Sequence, residues 1–319
     1  MGAELAAIDV LLGLGILATA ACALLPRTRL AVAMGFLALG VVVSLVWLRL
    51  GSVDVALAEA ALGGEILGAV LVWLAIRSRS APAAQHRAAA RWRVALGVFA
   101  AVVLTGLCAA VWGRVVPQIA AWSQPVQQQM PQTGVDHGVT AVLLAFRAYD
   151  TLLETAVLLM AAVAVMALSG EGAEHPARLR VQPRSSTLTT LARFSAPVLL
   201  LVGLWLLFAG SSQSGGAFQA GAVLCAMLIL LRVAGAPIAE ATVRWMPAAA
   251  AVGVLSFVLA GLIGPVSGGS WLSGDPQWAG AAIVVIEVFL TVSITAGLYM
   301  IYLGLDDLPS TRKHLGSQE

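Results

Sequence analysis

The sequence predicts an all-α polytopic membrane protein of about nine transmembrane helices, with the N-terminus outside and the C-terminus cytoplasmic. Hydrophobic residues make up 60% of the 319 positions, charged residues 11%, and the mean hydropathy is +0.93. A soluble domain carries roughly 25% charged residues. A bilayer-spanning helix needs about 20 mainly apolar residues, and runs of that length recur along the whole chain. The basic residues fall between those runs in alternation. With a formal charge of only +2 there is no basic face for nucleic acid. The first partner is the lipid bilayer.

Hydropathy places the spans near 5–25, 30–48, 53–76, 93–116, 150–169, 188–209, 218–235, 244–263 and 279–304. Span 1 is long for a signal peptide and opens with Glu4 and Asp9 rather than a basic residue, so a retained helix is expected. Cytoplasmic loops are enriched in Lys and Arg. Arg27 and Arg29 follow span 1, and Arg77, Arg79, Arg87, Arg91 and Arg93 follow span 3. Arg178, Arg180, Arg184 and Arg193 follow span 5. Arg232 and Arg244 flank the next inner loop, and Arg312 and Lys313 close the chain. That puts 15 of 18 basic residues on one side, leaving Arg49, Arg114 and Arg147.

The connections divide the chain into a three-helix unit (1–80), a two-helix unit (90–170) and a four-helix unit (185–319). Within the second unit, 117–149 is an outer loop. It begins with Pro117, Pro125, Pro131 and several glutamines, then turns apolar from His137 to Tyr149, as suits an interfacial segment. No internal repeat is visible, so the inverted-repeat plan of many transporters is not expected. Cys22, Cys108 and Cys225 are isolated in apolar stretches, without metal-ligand spacing, and read as small core residues. Trp47, Trp92, Trp112, Trp122, Trp271 and Trp278 lie near span ends and read as an interfacial belt.

Acids are distributed differently. Seven of 16 fall inside or at the lip of a span: Asp9, Asp54, Glu59, Glu65, Asp150, Glu154 and Glu287. A charge at mid-bilayer costs about 3 kcal/mol even on a lenient scale, so these groups must face protein, water or one another. Burial and like-charge neighbours favour the protonated carboxyl, which is the chemistry of a proton or cation path. At 100° per residue, Asp54 and Glu59 point about 140° apart and Glu59 and Glu65 about 120° apart, so they address different neighbours. Asp150 and Glu154 are spaced i, i+4 on one helix face, with Arg147 as a local partner. Glu287 stands alone inside span 9.

Plainer readings stand beside these. Asp9 and Asp54, near span ends, can be interfacial acids, and Glu65 can pair with an arginine on another helix. Arg147 and Asp150 can form a surface ion pair of little energy. His137, next to Asp136 in the outer loop, is most simply solvated, with a proton relay as the sharper alternative. The single lysine, Lys313, lies in the tail, and no histidine lies in a span. There is no phosphate-binding loop, metal cluster or haem ligand pair, so no cofactor, metal or catalytic residue is expected, and an ATPase or redox enzyme has no support. A pump worked by a buried lysine–carboxylate switch is excluded.

Three motifs resemble one known system. DVALAEAALGG (54–64) resembles the signature near the C-terminal end of the A subunit of Mrp-type multisubunit sodium/proton antiporters, equivalent to the D subunit of membrane-bound hydrogenases. FRAYDTLLETAVLLMAAVAVMAL (146–168) resembles the FRGFDTLGE-type segment that follows it there, equivalent to the hydrogenase E subunit. LLFAGSSQSGGAFQAGAVLCA (206–226) resembles the PGGGFQGG segment of the Mrp B subunit, matched by the hydrogenase F subunit. The order and the helix numbers of the three units agree, so the chain looks like a fusion of them.

The resemblance implies roles for Asp54 and Glu59 in the first motif, and for Arg147, Asp150 and Glu154 in the second. In the third it singles out Gly215, Gly216, Phe218, Gln219 and Gly221. Ser214 stands for the usual proline, Ala217 and Ala220 for glycines, Ser211 for a histidine, and Glu65 for a small residue. It further implies a transporter subunit rather than an enzyme, in the cell membrane of a prokaryote. The implied partners are antiporter-like subunits carrying the buried lysines missing here, together with small Mrp-type subunits. Na+ and H+ would be the ions moved. A membrane arm of a hydrogenase-like redox pump, a scaffold for antiporter-like subunits, and a module energising uptake of another ion such as bicarbonate remain as alternatives.

Overall fold

The computed structural model describes residues 2–26, 28–66, 68, 70–72, 75, 87–119, 123–169, 186–237, 242–266, 268, 269, 271, 272 and 275–306. Among them there are helices and turns but no strand. The long helices are α1 (Gly2–Leu24), α2 (Arg29–Arg49), α4 (Arg87–Ile119), α7 (Ala148–Ser169), α8 (Ser186–Ala209), α9 (Ala217–Ala234), α10 (Met246–Val266) and α11 (Pro276–Asp306). Short elements connect them: α3 (Val53–Glu59) running into a π-helical segment (Ala60–Ile66), α5 (Ser123–Gln129) with a 3-10 turn (Met130–Gln132), and α6 (Gly138–Ala141) with a π-helical turn (Val142–Phe146).

Among the described residues, seven helices are long and apolar enough to cross a membrane: Ala7–Leu24, Arg29–Arg49, Ala148–Leu168, Ser186–Ala209, Ala217–Ala234, Met246–Val266 and Gln277–Leu305. They match the first, second and fifth to ninth expected spans within a few residues. The expected fourth span lies inside α4, whose apolar stretch is Ala95–Val111. The third begins as α3, and most of it beyond Ile66 lies outside the described residues, as do the arginine-rich connections 76–86 and 170–185.

The packing is densest around α9 and α11, because small residues there let backbones approach. A Cβ on Gly221 would lie 2.7 Å from Ile294 of α11, and one on Gly253 of α10 would lie 2.6 Å from Ser293. Hydroxyls tie the same seams: Thr295 Oγ1 donates to the Gly221 carbonyl at 3.2 Å, and Ser293 Oγ to the Ala250 carbonyl at 2.5 Å. Leu206, Ala220, Cys225, Leu228, Ala250, Tyr299 and Leu303 form the core, and Ala61 of the π-helical segment joins it. The first unit is therefore packed onto the last.

Two expectations about burial are corrected. Of the three cysteines only Cys225 is buried; Cys22 on α1 and Cys108 on α4 are exposed. On α4, Leu96, Phe99, Val102, Leu104 and Leu107 are all exposed. An apolar run in a membrane chain does not imply a core position, because lipid solvates it as well as protein does. Arg232, expected at the edge of an inner loop, is in the last turn of α9 and is buried.

Candidate functional site

The site forms where the turn between α2 and α3 meets the turn between α8 and α9. Gly51, at φ +78°, ends α2. Its amide returns to the Leu48 carbonyl at 3.0 Å and the Ser52 amide to the Trp47 carbonyl at 3.0 Å, a paired C-terminal cap that favours glycine. The chain reverses at once, and Asp54 falls in the first turn of α3.

On the other side, α8 stops at Ala209 and the chain loops through Gly210–Gly216 before α9 begins. The Gly216 amide reaches back to the Leu206 carbonyl at 2.8 Å, with φ +155° at Gly215 and +114° at Gly216. No side chain fits this turn easily: a Cβ on Gly215 would lie 2.5 Å from the Leu206 carbonyl oxygen.

Asp54 binds this loop. The Gly215 amide donates to Asp54 Oδ1 at 3.1 Å, Ser214 Oγ to Oδ2 at 3.2 Å, and Gln219 Nε2 to the Asp54 backbone carbonyl at 3.2 Å. His137 Nε2 lies 3.0 Å from Asp54 Oδ2. The expectation that His137 is simply solvated is corrected: it is held half-buried by an acid 83 residues away in sequence. The segment carrying it is a strap. The Asp136 and His137 amides both donate to the Ser211 carbonyl, at 3.0 and 3.1 Å, and the Thr140 hydroxyl donates to the Gly210 carbonyl. Val135 and Ala141 pack on Ile283 of α11.

Glu287 lies on the other face of the same loop. It is 2% exposed. The Ala217 amide, in the first turn of α9, donates to its carboxylate, where the helix dipole favours negative charge. A Cβ on Gly210 or Gly216 would come within 2.9 or 3.2 Å of Glu287 Oε1. The glycines thus make room for the carboxylate as well as for the turn. Oε2 is buried with no hydrogen-bond partner among the described residues. An unsatisfied buried acceptor costs about 1–3 kcal/mol, more when charged.

The other acids stand apart. Glu59 is half-buried at the end of α3, its carboxylate folded over Gly63, where a Cβ would be 2.5 Å from Oε1. The π-helical segment that begins at the next residue is a rare conformation frequent at functional sites. Glu65 is in that segment, and its side chain lies outside the described residues. Asp150 pairs with Arg147 on an exposed surface, as the plainer reading held, and Glu154 is exposed on α7 rather than buried. Asp9 pairs with Arg49 at 3.0 Å. Phe218 is partly exposed beside the loop, and Gly221 serves the α9–α11 seam. Sequence reasoning set His137 down as solvated and its relay role as the lesser reading, noted Ser214 only as a motif departure, and missed Thr140. Their only local signal was a histidine beside an acid just before a helix start.

Residues 187–305 match the family described as "Domain related to MnhB subunit of Na+/H+ antiporter". Residues 14–80 match MbhD, the family of the D subunit of MBH. The chain thus carries one region similar to MbhD and another similar to the MnhB-related domain. Asp54, Glu59 and Glu65 belong to the first, and Ser214–Gly221 and Glu287 to the second. The strap and the second motif lie between the two. A solved chain of the Mrp complex from Dietzia sp. DQ12-45-1b has the same fold over 95% of this chain, with 24% identity and a TM-score of 0.70. That alignment covers 35% of the solved chain, so this protein spans about a third of its length. No curated protein matches the chain.

Proposed function

We propose that the chain is a membrane subunit of an Mrp-like multisubunit monovalent cation/proton antiporter, contributing carboxylates to an ion path between its domains. The observation that carries this reading is the contact of Asp54, from the MbhD domain, with the glycine loop of the MnhB-related domain, beside the buried Glu287. Two acids from separate domains flank one glycine turn, and one of them has an open oxygen. Glu59 and Glu65 extend the path along the π-helical segment. Asp150 and Glu154, exposed here, would be completed by a neighbouring subunit, as would the apolar surface of α4.

The partners in this reading are antiporter-like subunits that supply the buried lysines this chain lacks, with small Mrp-type subunits beside them, in the cell membrane of a prokaryote. The N-terminus and the strap would be outside and the C-terminus inside. The MbhD match over 14–80 supports a second reading, in which the module couples a hydrogenase-like redox enzyme to ion pumping.

The test is mild solubilisation through a C-terminal tag, identification of what co-purifies, and sodium-dependent proton exchange with Glu59→Gln or Glu154→Gln in assembled complexes. Reduced exchange with intact assembly is expected. Nickel–iron or iron–sulfur subunits among the partners would favour the redox arm. Wild-type exchange after neutralising both motifs at once would leave a scaffold.

A further inference from the structure

We infer that His137 and Asp54 form a proton-exchanging dyad at the strap-side mouth of the site, while the open cation position is on Glu287. This rests on the antiporter reading and deepens it by assigning different ions to the two acids.

Lone pairs separate the two acids. Asp54 Oδ1 accepts the Gly215 amide, and Oδ2 faces both Ser214 Oγ and His137 Nε2. A dehydrated metal cation needs oxygens that are not already turned to N–H and O–H donors, and it would be repelled by the donor hydrogens gathered here. Asp54 is placed to exchange a proton with His137 rather than to ligate a cation. Glu287 is the opposite case, with one oxygen on the Ala217 amide and the other buried and unpartnered among the described residues.

Access points the same way. The side chains of His137 and Asp54 are 19% and 13% exposed, so the dyad reaches the surface of the chain while Glu287, at 2%, does not. Imidazole also carries two ring nitrogens, so it can take a proton at one and give a proton from the other. In the transfer step, a hydronium O–H bond breaks, leaving water, as its proton bonds to Nδ1, the Nε2–H bond breaks and that proton bonds to Asp54 Oδ2. The ring stays neutral in the other tautomer and Asp54 becomes the neutral acid. The reverse step releases the proton. The titratable groups on surrounding elements are Asp136 on the strap, Glu59 on α3, Glu287 on α11 and Arg49 at the end of α2, the last held by Asp9.

The deciding variant is His137→Gln, which keeps a side-chain N–H donor but cannot relay a proton. In assembled complexes reconstituted in vesicles, it should lose exchange driven by a proton gradient while keeping the half-saturating sodium concentration of the wild type. Glu287→Gln should change that sodium dependence. A His137→Gln complex with the wild-type rate at every pH overturns the dyad. If Asp54→Asn and Glu287→Gln also exchange like wild type, the antiporter reading fails instead.

If His137→Gln does not assemble, the wild-type complex is treated with diethyl pyrocarbonate, which reacts with neutral imidazole. Modification of the His137 peptide is followed by mass spectrometry. Proton-driven exchange should fall in step with that modification. Undiminished exchange with the His137 peptide fully modified overturns the proposal.

Discussion

Gly215 donates its backbone N–H to the carboxylate of Asp54 at 3.1 Å, across 161 residues of sequence. This hydrogen bond joins the first domain to the last at a point where no side chain is needed, only an exposed amide in a turn. Asp54 is therefore a structural clasp as well as a titratable group, and the two roles separate experimentally. Asp54→Asn keeps an acceptor for the Gly215 amide. It should preserve assembly and monodispersity in detergent while lowering sodium-dependent proton exchange. A variant that assembles and exchanges normally would reduce Asp54 to a clasp.

The turn itself sets the next expectation. A non-glycine residue at such positive φ costs about 1–3 kcal/mol, and Gly215→Ala would also press a methyl group to within 2.5 Å of the Leu206 carbonyl, which belongs to α8 and cannot move aside. Gly216→Ala meets the Glu287 carboxylate at 3.2 Å instead, and that side chain can shift. Thermal unfolding in detergent should show the larger loss for Gly215→Ala. Gly216→Ala should show the larger loss of exchange relative to its loss of stability.

Glu287→Gln tests whether a buried charge is kept for function. The amide oxygen can still accept from Ala217, and removing the charge relieves an isolated buried carboxylate. The melting temperature should be unchanged or higher and the exchange impaired. A destabilised variant with normal exchange would instead make Glu287 a packing residue.

Arg147 and Asp150 should contribute little by themselves. Arg147 is 67% exposed in its side chain, and exposed pairs are worth about 0–1 kcal/mol. Arg147→Ala should leave the stability of the purified chain within that range. A much larger loss of assembled complex than of chain stability would mean that the second motif serves a neighbouring subunit.

The seam between α9 and α11 is tight enough to be probed by compensation. Gly221→Ala places a methyl group 2.7 Å from Ile294, and overpacking of this kind costs about 1–3 kcal/mol. Ile294→Val, which shortens the opposing side chain, should recover part of that loss in a double-mutant cycle. Purely additive losses would show that the two residues do not compete for the same space.

Much of this protein is legible without coordinates. Hydropathy located the seven long spans to within a few residues, because helix formation in lipid depends on local hydrogen bonds and on the apolarity of about 20 consecutive residues. Asp54, Gln219 and the glycine pair were singled out by their motifs, and Glu287 by the cost of burying an acid. What those residues touch was not legible. His137 looked solvated because its partner is 83 residues away, and Glu154 looked buried because hydropathy cannot tell a helix face turned to protein from one turned outward. The cysteines misled for the same reason, since Cys22 and Cys225 sit in equally apolar runs and only the second is in the core. Where the chain crosses the membrane, and which charges it carries there, are written locally in its residues. That Asp54, His137 and Glu287 gather at one glycine turn is a property of the folded molecule alone. Contacts between distant segments follow from helix packing, and packing is set by shapes that no single segment contains.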